Sequence, residues 1–212
     1  MPVLTCLLLL FGAGDAPPSR LCPYVSVGTG LQHNFPSPLV IRQDGNADIE
    51  LTARYETRPF AEVPYYDVKA GLSRTPWAIE LELVHHKLYL ANRPAEVDTF
   101  EITHGYNPVV LNVVRECRGI ALRAGAGILL AHPETTVRGR RWPETGGLFG
   151  WYLSGPAAQV GMELDVGFGP RFFLGVEGKA TAAYARVPIQ DGSADVPNIA
   201  LHGLLVAGWR GE

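Results

Sequence analysis

The chain has 212 residues, 47% of them hydrophobic and 18% charged, with 18 lysines and arginines against 21 aspartates and glutamates. High apolar content with a net charge of −3 excludes a disordered chain, and the charge balance leaves no basic footprint for nucleic acid. The 24 glycines and 17 prolines argue against long helices, and no apolar run reaches the roughly 18 residues of a membrane-crossing helix, whereas a membrane barrel needs only about 9–11 per strand.

The first segment, Val3 to Ala13 (VLTCLLLLFGA) followed by Gly14-Asp15-Ala16, has the length of an export leader with a small-x-small cleavage site. Residues 1–16 are therefore expected to be removed, although no lysine or arginine precedes the run and Pro17 follows it. Cys22 and Cys117 then remain; an oxidising compartment permits their pairing, but spacing alone does not bring them together. Residues 17–45 read as an N-terminal segment with one strand-like run, 23–34 (PYVSVGTGLQHN), that has no assigned place in the sheet.

After residue 22 almost every segment alternates with period two, the mark of a strand with two unlike faces. In 77–90, Trp77, Ile79, Leu81 and Leu83 oppose Ala78, Glu80 and Glu82. In 156–168, Val160, Met162, Leu164 and Val166 oppose Gln159, Gly161, Glu163 and Asp165. In 171–187, Phe172, Leu174, Val176, Ala180 and Ala182 oppose Gly175, Glu177, Lys179 and Thr181.

Alternation does not say which face is inside. A soluble sandwich buries the apolar face; a membrane barrel turns it to lipid. Several runs here exceed the roughly 5–6 residues usual in globular strands. Aromatic residues stand near run ends, namely Tyr55, Trp77, Tyr89, Phe168, Phe172, Tyr184 and Trp209, as interfacial girdles do. The last strand is amphipathic and carries Trp209 near its end, like the assembly signal of outer-membrane barrels, so barrel-assembly machinery is an expected partner.

The expected fold is all-β: an antiparallel up-and-down transmembrane β-barrel over residues 46–212. Its eight strands are 46–58, 63–73, 77–90, 97–115, 118–132, 150–168, 171–187 and 197–209; splitting 97–115 at Asn107-Pro108 gives a ten-strand alternative. The expected location is the outer membrane of a Gram-negative bacterium, in contact with membrane lipid or lipopolysaccharide.

With short turns on the periplasmic side and longer loops outside, polar residues collect near the outer end. His85, His86 and Lys87 top one strand; Glu101, Thr103 and Asn107 share a face of the next. His132 ends another strand, and Glu177, Lys179 and Thr181 lie on the upper interior face. Histidines beside carboxylates bind metals or move protons; the alternative is a charge network that only holds the wall together. Strict alternation puts His85 and Lys87 on the lipid side, opposite Glu82. Either this strand has cleared the membrane by residue 84, or a bulge at Val84-His85 turns them toward Glu101 and Thr103.

The stretches PYYDVKAGL (64–72), ELELVHHKLY (80–89), FEITHGYNPVVLN (100–112), RAGAGILLAHPE (123–134), GWYLSGPAAQ (150–159) and EGKATAAYA (177–185) resemble the outer-membrane lipid A oxidase family and its barrel relatives. The resemblance implies O2-dependent oxidation of the proximal glucosamine of lipid A to an aminogluconate unit, helped by a divalent cation. The matching positions are Glu82, His85, Lys87, Glu101, Thr103 and Asn107 as catalytic candidates, with His132, Glu177 and Lys179 as substrate-binding candidates. His104 stands where the family pattern has an acidic residue, so no metal ligand set follows. The non-enzymatic alternative is a structural or amphiphile-binding outer-membrane barrel.

Overall fold

The computed structural model describes residues 20–61, 63–143, 150–168 and 171–211. The expected leader, residues 1–16, and the side chain of Phe168 lie outside the described residues. Eight strands form a closed antiparallel ring in chain order: β1 (Cys22–Asn34), β5 (Tyr66–Arg74), β6 (Trp77–His85), β9 (Tyr106–Cys117), β10 (Ile120–Ala131), β13 (Tyr152–Phe168), β14 (Phe172–Ile189) and β15 (Gly192–Arg210). Closure comes from β1 against β15, with Val25 opposite Trp209 and Asn34 opposite Ala200. The seven remaining strands lie above one end of the ring. They are β2 (Ser37–Gln43), β3 (Ile49–Ala53), β4 (Tyr55–Glu56), β7 (Leu88–Leu90), β8 (Val97–Ile102), β11 (Glu134–Val137) and β12 (Arg140–Trp142).

The architecture is the eight-strand up-and-down barrel the sequence predicts, with one stave reassigned. The run 23–34 is the first stave, whereas 46–58 is not part of the ring and breaks at Arg54 into β3 and β4. The barrel therefore begins at Cys22, not at residue 46. The alternation in 46–58 is real, but its apolar face (Ile49, Ala53, Tyr55) is buried in an ordinary core rather than turned to lipid. The segment 97–115 does divide, though at 103–105 rather than at Asn107-Pro108, and its upper piece β8 joins the outer part instead of adding a stave. The ring stays at eight.

The two longest staves show why. In the lower part of β14, Phe172, Leu174 and Val176 face outward at 62%, 49% and 60% exposure, while Glu177, Lys179 and Thr181 are buried inside. Above Tyr184 the same strand reverses: Ala185, Val187 and Ile189 are buried and Arg186 is exposed. In β15, Leu205, Leu201 and Ile199 face outward around the buried His202, and above them Ala194 and Val196 turn inward. Below this level the wall is inside-out, with apolar residues against lipid and charges within. Above it the wall is built like a soluble protein. Leu39, Ile41, Phe100, Ile102, Val137 and Val187 share one apolar core there, each large aliphatic side chain contributing about 1.5–3 kcal/mol.

Short turns close the lower end. Arg118 and Gly119 join β9 to β10 with φ of 53° and 83°, the two left-handed residues that a two-residue hairpin matched to strand twist requires. Both termini of the described chain lie at this end, which is the periplasmic one. Cys22 and Cys117 are both free. They stand on β1 and β9 with β5 and β6 between them, a separation on the order of 14 Å along the wall, beyond disulfide reach.

Candidate functional site

The sequence candidates fall into two places. Glu82, Glu177 and Lys179 lie in the lumen, in a network closed by side chains from across the ring. The Lys179 ammonium donates to Asp67 at 2.7 Å and to Glu82. Lys69 donates to Glu163 at 2.8 Å and to Glu177 at 2.5 Å, and Arg123 bridges the same two glutamates. Asn112 donates to Glu80 at 3.0 Å and Glu82 at 2.8 Å; Gln159 reaches Glu82 and Asn112. His202 links Tyr65 and Thr181 at 2.9 Å each. Charge-assisted bonds of this kind are individually strong, but burying the ions costs most of what they return. The network therefore fixes the geometry of the lumen more than it adds net stability. The cavity at the periplasmic mouth, lined by Tyr24, Glu80, Arg123 and Asp165 among others, measures about 30 Å³, room for one or two waters.

The second place is the outer rim of β6, β9 and β10. Pairing of β6 with β9 ends at Leu83 opposite Val109, while pairing with β5 runs unshifted to His85 opposite Tyr66. No bulge is present; the strand has instead left the apolar belt, and His85 is buried at 3% exposure. Its ring stacks on Tyr66 at 4.9 Å between centroids, and Nδ1 is 3.1 Å from Asn107 Oδ1. Close by, Thr103 donates to Glu134 Oε1 at 2.5 Å, and His104 Nδ1 lies 2.9 Å from the same oxygen. The His104 ring centroid is 5.0 Å from that of the buried His132. Glu101 stands directly across the β8–β11 ladder from Glu134. The two carboxylates border an open cleft of about 310 Å³ whose other walls include Thr99, Thr136, Arg141 and Trp142. Like charges directly opposite on a sheet are unfavourable by themselves, and His104 is hydrogen-bonded to the Glu134 member of this pair.

The structure thus brings together His85 with Asn107, and Thr103 with His132 and Glu101 around Glu134. Lys87 is drawn elsewhere: its ammonium donates to the carbonyl of Ala61 and lies 6.0 Å from the Tyr89 ring. Sequence reasoning missed Glu134 and His104 as working members. The signal available was the tripeptide His132-Pro133-Glu134, since a strand-end histidine two residues from a carboxylate places both on one face.

Three potential carboxylate ligands, Asp67, Glu82 and Glu177, lie within 4.8 Å of one another and are the one such group of ligating residues among the described residues. The ammonium groups of Lys69 and Lys179 already fill that cage. A divalent cation does not fit there without expelling a buried lysine, and the rim histidines are not preassembled to hold one. The residues thus offer no ready site for the cation that the family resemblance implies.

No protein-family model and no curated protein matches the chain. Among solved structures it resembles outer membrane protein AlkL, with a TM-score of 0.47 and 13% identity over 95% of each chain. It also resembles OprG from Pseudomonas aeruginosa, with 0.45 and 12% over 92% of this chain and 99% of the other. For Ail, the attachment invasion locus protein of Yersinia pestis, the values are 0.43 and 13% over 90% and 99%. At these scores the fold assignment rests on the chain's own wall. A closed ring with lipid-facing apolar residues, a charged lumen and short turns at the end bearing the termini is an outer-membrane β-barrel.

Proposed function

We propose that the outer rim over β6, β9 and β10 receives the saccharide headgroup of lipid A in the outer leaflet of a Gram-negative outer membrane. The observation that carries this reading is convergence. Residues 85, 103–107 and 132–134 come from three separate stretches of the chain and meet just above the apolar belt. His85, Asn107, His132 and Glu134 continue the outward-facing positions of their staves. Glu134 and His104 keep part of their surface exposed, so a headgroup standing beside the wall meets them first, without entering the lumen, and the buried His85, Asn107 and His132 back them. The cleft with Glu101, Glu134 and Arg141 offers hydroxyl acceptors and a cation for phosphate.

The finer reading is a modification of that headgroup. Glu134 beside His104 is an imidazole–carboxylate pair able to move a proton. The oxidation of glucosamine by O2 is what the resemblance to the lipid A oxidase family adds. The test is mass spectrometry of lipid A from a host that lacks the activity and expresses this chain. A shifted lipid A mass that disappears in Glu134→Gln and His104→Ala supports modification. An unchanged spectrum from heat-modifiable, folded protein ends it and leaves headgroup binding, read by co-purified lipopolysaccharide that the same variants lose.

A second reading has its own support: Glu82, Glu177 and Lys179 are all ion-paired inside the closed lumen network, which fits a purely structural barrel whose charges hold the wall together. In either reading the amphipathic β15, ending at Trp209 and Arg210, is the element offered to barrel-assembly machinery.

A further inference from the structure

We infer that the periplasmic half of the wall over β1, β5, β6 and β9 holds one anionic phospholipid of the periplasmic leaflet. Its phosphate lies between Arg74 and Arg115, and an acyl chain fills the groove above them. The inference needs only the membrane barrel and is independent of the rim site.

Strand register builds the headgroup end. Arg74 is opposite Trp77, and Trp77 is opposite Arg115, so the three form one row across β5, β6 and β9. All three continue outward-facing positions, two residues beyond Leu72, Ile79 and Val113, which face lipid at 50%, 59% and 55% exposure. Adjacent strands are about 4.8 Å apart, which puts the two arginine positions roughly 10 Å apart with the indole between them. The Arg115 guanidinium carbon lies 5.0 Å from the Trp77 ring centroid, which aims that cation along the membrane interface. A phosphodiester set over this row meets a guanidinium on either side.

The acyl end lies directly above. The next two rows are Pro23–Leu72–Ile79–Val113 and Val25–Ala70–Leu81–Leu111, apolar throughout. Ala70 is small between Val25 and Leu81 and leaves a dent in the wall. The result is an apolar groove of about 920 Å³ that begins at Arg74 and Trp77 and runs past Ala70 to Leu81 and Leu111.

Charge selects the headgroup. Arg20, Arg118 and Arg171 are exposed at the same end as Arg74, and Arg210 is taken by Asp165. Among the described residues of this rim, the exposed carboxylate of Glu116 lines the luminal mouth and is not in the row. A zwitterionic lipid brings its own ammonium into this basic surface; an anionic glycerophospholipid does not. Short turns and both termini mark this end as periplasmic, so the leaflet beside it is phospholipid rather than lipopolysaccharide.

The experiment uses the whole protein, carrying Trp209→Phe, in phosphatidylcholine vesicles containing brominated phosphatidylglycerol or brominated phosphatidylcholine. The difference in fluorescence quenching from the Trp77→Phe, Trp209→Phe double variant isolates Trp77. The expected preference for phosphatidylglycerol is about 25-fold, about fivefold for each of the two basic residues at an anionic surface, and it falls as salt rises. Arg74→Gln lowers it about fivefold and Arg74→Gln with Arg115→Gln brings it to about one, while Arg74→Lys keeps most of it, all as heat-modifiable, folded barrels. Ala70→Phe fills the dent and lowers quenching by the anionic lipid. Equal quenching by the two lipids, or a preference undiminished in Arg74→Gln, overturns the site; unchanged quenching in Ala70→Phe overturns the seating of the acyl chain.

Discussion

The lower and upper parts of the barrel share the same strands and obey opposite rules. Along β14 the inward positions read Glu177, Lys179 and Thr181 and then Ala185, Val187 and Ile189, while the outward ones read Leu174 and Val176 and then Arg186. At Tyr184 the ladder to β13 has ended while the ladder to β15 runs on unshifted, so the inward and outward positions keep their sides and the solvent outside the wall changes from lipid to water. Where lipid surrounds the barrel, the hydrophobic effect acts on the outer face and the lumen is free to be polar. Where water surrounds it, the same effect drives the apolar residues inward. The wall thus records the height of the membrane surface in its sequence.

The largest expected effect breaks the lower rule from inside. Lys179→Met leaves Asp67 and Glu82 short of their buried cation and costs about 3–5 kcal/mol; urea unfolding in detergent or lipid measures it. Paired with Glu82→Gln, the loss should shrink, because less uncompensated charge remains. Reversal of the outer face comes next. Val176→Arg puts a charge into the belt and should cost about 2–4 kcal/mol. Arg186, ten residues on and facing the same way, already sits at 63% side-chain exposure above the belt. Equal tolerance of arginine at both positions would remove the membrane boundary drawn at Tyr184.

The smallest effect belongs to the upper part and reads out as pH dependence. Burial tends to raise the Asp195 carboxyl, but hydrogen bonds from Arg42 and Tyr184 overcome it and hold the group below its ordinary value. A depressed carboxylate stabilises the fold above its unfolded value, near pH 4, and that contribution fades as pH falls through the lowered folded value. Asp195→Asn should therefore lower the thermal midpoint at pH 7 and leave it nearly unchanged in strong acid. A difference that grows on acidification would refute the assignment.

Period-two alternation in the sequence determined that the chain is a sheet and, through run lengths and turns, placed seven of the eight staves, six of them to within about five residues; the run 97–115 begins nine residues before its stave. It also singled out Glu82 and His85 as polar residues that a strand must accommodate somewhere, but not Glu134. Height along the barrel was beyond it. The segment 46–58 alternates as cleanly as a stave, yet lies above the membrane, and the real first stave is 22–34. The same limit divided the site. Glu82 and His85 are three residues apart, but one is locked into the lumen network and the other faces Asn107 at the rim. Only the tertiary structure decided that His104 and Glu134, thirty residues apart, share a hydrogen bond, since strand pairing fixes such neighbours through register, a relation between chain segments that no local pattern contains.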